Sequence, residues 1–179
     1  KAYTSGLLAL VPPASRPRAE EVLTHAGATL TRWLVGRVVA MIFVGVAATI
    51  GLYFLHVPLA FGLGVLAGLL AFVEYVGAIA SAVAPMLLAL ASSGVTGAVS
   101  VAVLFTGVHI VEGYLLTPAL ARKAVHFPPA FTLGTQVLFG AIFGVLGLTF
   151  ATPTCVLIAT LVQMLYLEDV LGEPQGPVT

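Results

Sequence analysis

Residues 38–77 read VVAMIFVGVAATIGLYFLHVPLAFGLGVLAGLLAFVEYVG, and Glu74 is the single Asp, Glu, Lys or Arg among them. Reading on to Ala121 adds only Glu112, with His56 and His109 as the histidines. A second run, Ala124 to Leu167, holds none of those four residue types and only His126. Charged residues make up 8% of the chain, against about 25% in ordinary soluble domains. A water-facing shell cannot be built from so few charges, so the outer surface faces hydrocarbon. The reading is an all-α, polytopic helical membrane protein with broken or re-entrant helical hairpins. The lipid bilayer is its first partner, and lone carboxylates inside it are the first places to look for function.

Composition excludes several classes. Acids and bases balance at seven each, so there is no basic face for nucleic acid. Cys155 is the one cysteine; it cannot form an intrachain disulfide and reads as a small apolar core residue. No phosphate loop, nucleophile triad or nucleotide fingerprint occurs. No enzyme activity, cofactor or metal is expected, and ATP bound by this chain would not drive transport. The chain opens on Lys1 with no cleavable signal pattern, and Lys1 reads as internal to a longer protein.

Three regions follow. Residues 1–31 form a cytoplasmic or interfacial segment: Pro12, Pro13 and Pro17 punctuate its start. Val22, Leu23, Ala26, Leu30, Trp33 and Leu34 then recur at helical spacing opposite Glu20, Glu21, His25 and Arg32. Residues 32–167 form the transmembrane domain, and 168–179 a mobile cytoplasmic tail. Trp33, Arg32 and Arg37 mark the interface where the first span begins. A bilayer core about 30 Å thick takes about 20 helical residues, so the first span, 32–55, breaks at Val57-Pro58. Gly77 and Pro85 divide 59–91 into a broken hairpin or two short spans. Ser92-Ser93-Gly94 is a turn, 95–117 is a span closed by Pro118, and Pro128-Pro129 opens an interrupted pair, 130–146 and 148–167. Gly140, Gly144 and Gly147 thin the first member, and Pro153 kinks the second. Arg16, Arg18, Arg32 and Arg37 and the pair Arg122/Lys123 fall on one side by this span count. The positive-inside rule places them, and both chain ends, in the cytoplasm.

Two glutamates carry the functional expectation. Glu74 is either a protonatable, substrate-facing carboxylate or an acid that reaches water from the end of a short helix. Glu112 follows His109 by three residues, so the two share a helix face and could relay protons or hold a cation. The alternative for Glu112 is a surface pairing with Arg122 or Lys123. His109-x-x-Glu112 is not a zinc motif, because the second histidine of H-E-x-x-H is missing. Gly64-x-x-x-Gly68 and Gly140-x-x-x-Gly144 are small-residue patterns that let helices pack closely. A weak internal echo pairs the segment from Pro58 to Pro85 with that from Pro129 to Pro153.

Several motifs stand in order: Leu10-Val11-Pro12 with Arg16 and Arg18, Trp33-Leu34-Val35-Gly36-Arg37, Gly51-Leu52 with Val57-Pro58, and Phe72-x-x-Tyr75-Val76-Gly77. Val111-Glu112-Gly113-Tyr114 with Pro118, Pro129, Phe143-Gly144-Val145-Leu146-Gly147-Leu148 and Ala151-x-Pro153 complete the set. Over about residues 10–167 the chain resembles the autoinducer-2 exporter (AI-2E) family of bacterial inner-membrane transporters. The resemblance implies an efflux-type permease, homo-oligomeric, moving a small-molecule or ion substrate. Members are linked to export of a quorum-sensing signal, and some relatives to sodium/proton antiport. Two positions depart from the family, which usually has proline where Glu74 and Ala78 stand. Export of small polar solutes is therefore the leading expectation, with cation/proton antiport and a non-transporting scaffold as alternatives.

Overall fold

The computed structural model describes residues 12–120 and 129–169. Arg122, Lys123 and His126, and the tail beyond Asp169, lie outside the described residues. Among those described, every regular element is helical. A short 3-10 turn, Pro13–Ser15, leads into α1, Arg16–Phe54, with Pro17 in its first turn, where a missing N–H costs nothing. At 1.5 Å per residue α1 is about 58 Å long, nearly twice the hydrocarbon thickness. The amphipathic lead and the first span are thus one continuous helix, and the boundary expected at 31/32 falls inside it. Three helical stretches are long and apolar enough to cross a bilayer: Arg16–Phe54, Val76–Leu116 and Ala130–Tyr166.

The chain leaves α1 through 55–59, where His56 and Leu59 take positive φ, and enters α2, Ala60–Leu70. A connection over 71–75 leads to α3, Val76–Val111. A π-helical turn, Glu112–Leu116, and a short helix α4, Thr117–Leu120, follow. Last come α5, Pro129–Val162, and a second π-helical turn, Gln163–Glu168.

Two of the long apolar stretches are folded on themselves. Gly94 in α3 has φ 68° and ψ −162°, and Gly144 in α5 has φ 63° and ψ −144°, backbone that residues with a Cβ avoid. A Cβ at Gly97 would lie 2.9 Å from the Ala89 carbonyl, and one at Gly147 would run into the Phe139 carbonyl. Residues eight apart in a straight helix are about 12 Å apart. Each helix is therefore a hairpin whose arms, 76–93 with 95–111 and 129–143 with 145–162, lie back to back. At about 25 Å the α3 arms fall short of the hydrocarbon core.

These turns correct several boundaries. The second hairpin turns at Gly144 rather than at Gly147, whose missing side chain instead lets the arms touch. Gly140 meets Leu148 across the same hairpin, so the 140/144 pattern is a hairpin signature and not a seam between separate helices. Pro85 does not divide its helix; it is fully buried within the first arm of α3. The break expected at Gly77 and Pro85 lies at 71–75 instead. Pro118 does not close its span, because the helix runs on through the π-helical turn, which loosens the backbone just upstream of the missing N–H. Pro153 likewise sits within a continuing arm. Pro85 comes nine residues before its turn and Pro153 nine after its own, so the sequence echo does not correspond to a direct structural repeat.

The core joins Val44, Ala48 and Leu52 of α1, Leu63 and Ala67 of α2, and Ala89, Val101 and Phe105 from both arms of α3. Ile42, Ile79, Val103, Ile142 and Val145 are among many large apolar side chains left exposed, as a lipid-facing exterior requires. Without a hydrophobic drive between helices in lipid, close packing holds them. Gly45 of α1 faces Gly64 and Gly68 of α2, and a Cβ on Gly68 would sit 2.7 Å from the Met41 carbonyl and 3.1 Å from Gly45 Cα. Gly68→Val is expected to cost about 1–3 kcal/mol by overpacking. Gly62→Ala, which meets nothing within 4 Å, should leave the melting temperature in detergent unchanged.

At the other end, the Arg18 guanidinium pairs with Asp169 at 2.8 and 3.2 Å, with Glu21 at 2.7 Å, and donates to the Met164 carbonyl at 3.0 Å. That fork ties the start of α1 to the π-helical turn after α5 and its cap.

Candidate functional site

The connection 71–75 organises the site. Glu74 accepts from the Val76 N–H through its carbonyl at 2.5 Å, and Tyr75 between them has φ 55° and ψ −62°. That is the rare γ-turn of positive φ, a strained conformation for a residue with a side chain. Gly77 follows, packed so closely that a Cβ there would strike the Leu70 carbonyl.

Arg37, on α1, holds this turn. Its side chain is 9% exposed, it donates through Nε to the Phe72 carbonyl at 3.0 Å, and through Nη2 to the Ala71 carbonyl. Those carbonyls close the C-terminal end of α2, where the helix dipole favours a cation. Trp33, one turn earlier on α1, sets its ring edge-on to Phe72 with centroids 6.0 Å apart. Nη1 faces two carboxylates, Glu112 Oε1 at 3.4 Å and Glu74 Oε1 at 3.6 Å.

The other Glu112 oxygen meets His109 Nδ1 at 3.0 Å. His109 Nε2 lies 3.5 Å from Ser81 Oγ, and the Ser81 hydroxyl donates to the Ala78 carbonyl at 2.8 Å. Ser81 is on the first arm of α3 and His109 on the second, so the hairpin at Gly94 brings them together. The cluster therefore runs Ser81, His109, Glu112, Arg37, Glu74 across α1, the 71–75 connection and both arms of α3. The π-helical turn begins at Glu112 itself; such turns often mark functional positions because they re-aim side chains.

Glu74 lies in the connection between α2 and α3, outside the three spans. Burial pushes its carboxyl above the usual carboxylate range; the Arg37 charge pulls it down and the Glu112 charge pushes it up again. Glu74 and Glu112 meet at Arg37, His109 joins them through Glu112, and Gly77 borders the turn that carries Glu74. Pro118 follows the π-helical turn. Gly144, Gly147 and Pro153 belong to the other hairpin and do not contact this cluster through any described bond. Arg37 and Ser81 were not singled out by the sequence as site residues. An arginine at the start of a span reads as an interfacial anchor, and only the fold shows that it points inward.

A family model described as AI-2E family transporter matches residues 1–166. A protein of Thermotoga maritima is 26% identical over 141 residues, covering 79% of this chain and 44% of that protein. YhhT of Escherichia coli is 29% identical over 124 residues, covering 69% of this chain and 36% of YhhT. YdbI of Bacillus subtilis is 24% identical over 120 residues, covering 67% of this chain and 34% of YdbI. All three are named as candidate transport proteins, and the chain spans under half the length of each. With the family model covering nearly its whole length, and with an apolar helical exterior around a part-buried polar cluster, the chain belongs to the AI-2E family of transporters.

Proposed function

We propose that this chain forms the membrane-embedded part of a secondary exporter of small polar solutes, such as an autoinducer-like signal, in the bacterial inner membrane. Both ends face the cytoplasm and the assembly is a homo-oligomer. The observation that carries the reading is the part-buried cluster of Arg37, Glu74, Glu112, His109 and Ser81. Charged groups withdrawn from water are costly, and such groups concentrate at functional sites. Five polar side chains meeting across a broken helix and a hairpin offer hydrogen bonds to a hydroxylated solute where lipid offers none.

A second reading, cation/proton antiport, is favoured by the charge balance of the same cluster. One guanidinium faces two carboxylates, so a single additional positive charge neutralises it. That charge is a proton held between His109 and Glu112 in one state and a cation in another. A third role, a non-transporting scaffold, is the outcome in which no flux occurs.

Glu112→Gln separates the three in proteoliposomes. Antiport predicts loss of pH-dependent cation exchange; solute export predicts solute flux at an altered rate; a scaffold predicts no flux in either protein. The variant also removes one of the two influences that raise the Glu74 carboxyl and leaves Arg37 to Glu74 alone. Both changes act in the same direction, so any Glu74-dependent step should move to lower pH. A midpoint that stays put or rises would contradict the coupling of the two acids through Arg37.

A further inference from the structure

The α5 hairpin stands apart from the rest of the fold. Its arms seal on each other: Gly140 meets Leu148, Gly147 packs under the Phe139 carbonyl, and Gln136, completely buried, lies 3.5 Å from Thr152 Oγ1. The core built from α1, α2 and α3 contains no α5 residue. The hairpin packs against α1, and Val22 and Ala26 of α1, Thr160 of α5 and Met164 of the turn after it are buried outside that core. A body held by one small interface of mixed polarity moves by default. Arg18 closes the interface, with Nη2 and Nε on the two oxygens of Asp169 and Nη2 also on the Met164 carbonyl.

The same fork limits how deep the hairpin reaches. Trp33, with Arg32 before it, marks the level where α1 meets the headgroups, and Arg18 lies about 22 Å before that level along the helix. From Met164 back to Gly144 the second arm rises about 30 Å. The docked tip therefore passes the Trp33 level by about 10 Å, and by less than about 20 Å even with α1 tilted by about 40°. The hydrocarbon is about 30 Å thick. Ile142, Phe143, Val145 and Leu146, 62–77% exposed, sit at that tip. Docking on α1 holds this apolar end short of lipid that it could enter, and burial of apolar surface drives it deeper.

We propose that Arg18 and Asp169 form an ionic strap that holds the α5 hairpin docked on α1, and that opening it lets the hairpin move deeper into the bilayer as a rigid body. The pair is suited to switching. Its side chains are 31% and 40% exposed, so salt screens it, and a paired fork of this kind near the surface biases an equilibrium without locking it. Glu21, on α1 itself, holds the Arg18 guanidinium at 2.7 Å whether or not Asp169 is present, so the arginine stays set for reclosure. The strap is separate from the Arg37 cluster and does not depend on what the protein transports. It rests on Trp33 as the membrane level of α1.

The test uses the protein in proteoliposomes, in a Cys155→Ala background, with spin labels on Thr24→Cys and Ile158→Cys, both exposed positions on α1 and α5. The expected result at about 0.1 M sodium chloride is one dominant short distance between the labels. Arg18→Gln and Asp169→Asn should each raise the ratio of a longer to the short population by about fivefold. Raising the salt to about 1 M, where the screening length falls to about 3 Å, should do the same in the parent. A single label on Val145→Cys should then lose access to a water-soluble nickel chelate and gain access to oxygen. Exchanging the charges, Arg18→Asp with Asp169→Arg, should bring the short distance back. A short distance that persists in both variants and at about 1 M salt overturns the strap, as does an exchange that restores nothing. A Val145 label that becomes more open to the chelate overturns the deeper insertion. Should the variants fail to fold, the salt titration of the parent decides alone.

Discussion

Arg37→Ala is expected to lose most of the folded protein. The change leaves two carboxylates facing each other without their shared cation, and strips the α2 terminus of its donors to the Ala71 and Phe72 carbonyls. Removing one partner of a buried ion pair typically costs about 3–5 kcal/mol, because an uncompensated charge stays behind. Detergent melts and size-exclusion profiles would report it. The triple variant Arg37→Ala, Glu74→Gln, Glu112→Gln removes the stranded charges and should recover part of the loss. Arg37→Lys should recover little, since one ammonium cannot span two carbonyls and two carboxylates as a planar fork does. An Arg37→Ala protein that melts like its parent would mean the cluster is held by something other than this guanidinium.

Gly77→Ala is expected to have the second-largest effect. The new methyl would strike the Leu70 carbonyl, a backbone atom that cannot turn aside. Overpacking costs about 1–3 kcal/mol where side chains can yield, and here the obstacle is the end of α2 itself. The turn over 71–75 must shift, and with it the Ala71 and Phe72 carbonyls that anchor Arg37. Flux in proteoliposomes should fall even in the fraction that folds. Gly107→Ala, on the second arm of α3 with nothing within 4 Å, is the matched control and should leave flux and melting unchanged. A Gly77→Ala protein with full flux would separate the turn from the site.

Much of this architecture could be read before any coordinates. The scarcity of charge over 38–167 required a lipid-facing exterior, and the same scarcity made Glu74 and Glu112 conspicuous. His109 came with Glu112 through their helical spacing. Gly94 stood beside two serines as a turn, and Gly64 with Gly68 signalled close helix packing without naming the partner, which the fold supplies as Gly45. Arg37 was hidden because its described partners lie 34 to 75 residues away in sequence, and no periodicity links them. Ser81 is a small hydroxyl that commonly packs between helices, so nothing in its neighbourhood marked it.

Prolines misled for a related reason. Whether a proline ends a helix depends on what surrounds the freed carbonyl, and Pro85 and Pro118 sit where packing or a π-helical turn absorbs it. Gly144 and Gly147 share a glycine-rich run, and which of them takes positive φ is decided by how the two arms meet. Gln136 did carry a signal that was passed over: an amide in the middle of an apolar stretch is uncommon enough to ask after its partner.

The central claim is that the Arg37 cluster lies on the route taken by the transported species. In a Cys155→Ala background, Ser81→Cys tests it directly in the reconstituted protein. A membrane-impermeant thiol reagent should label position 81 from at least one side during transport, and labelling should stop the flux. A thiol at 81 that stays inert from both sides while flux continues would contradict the account.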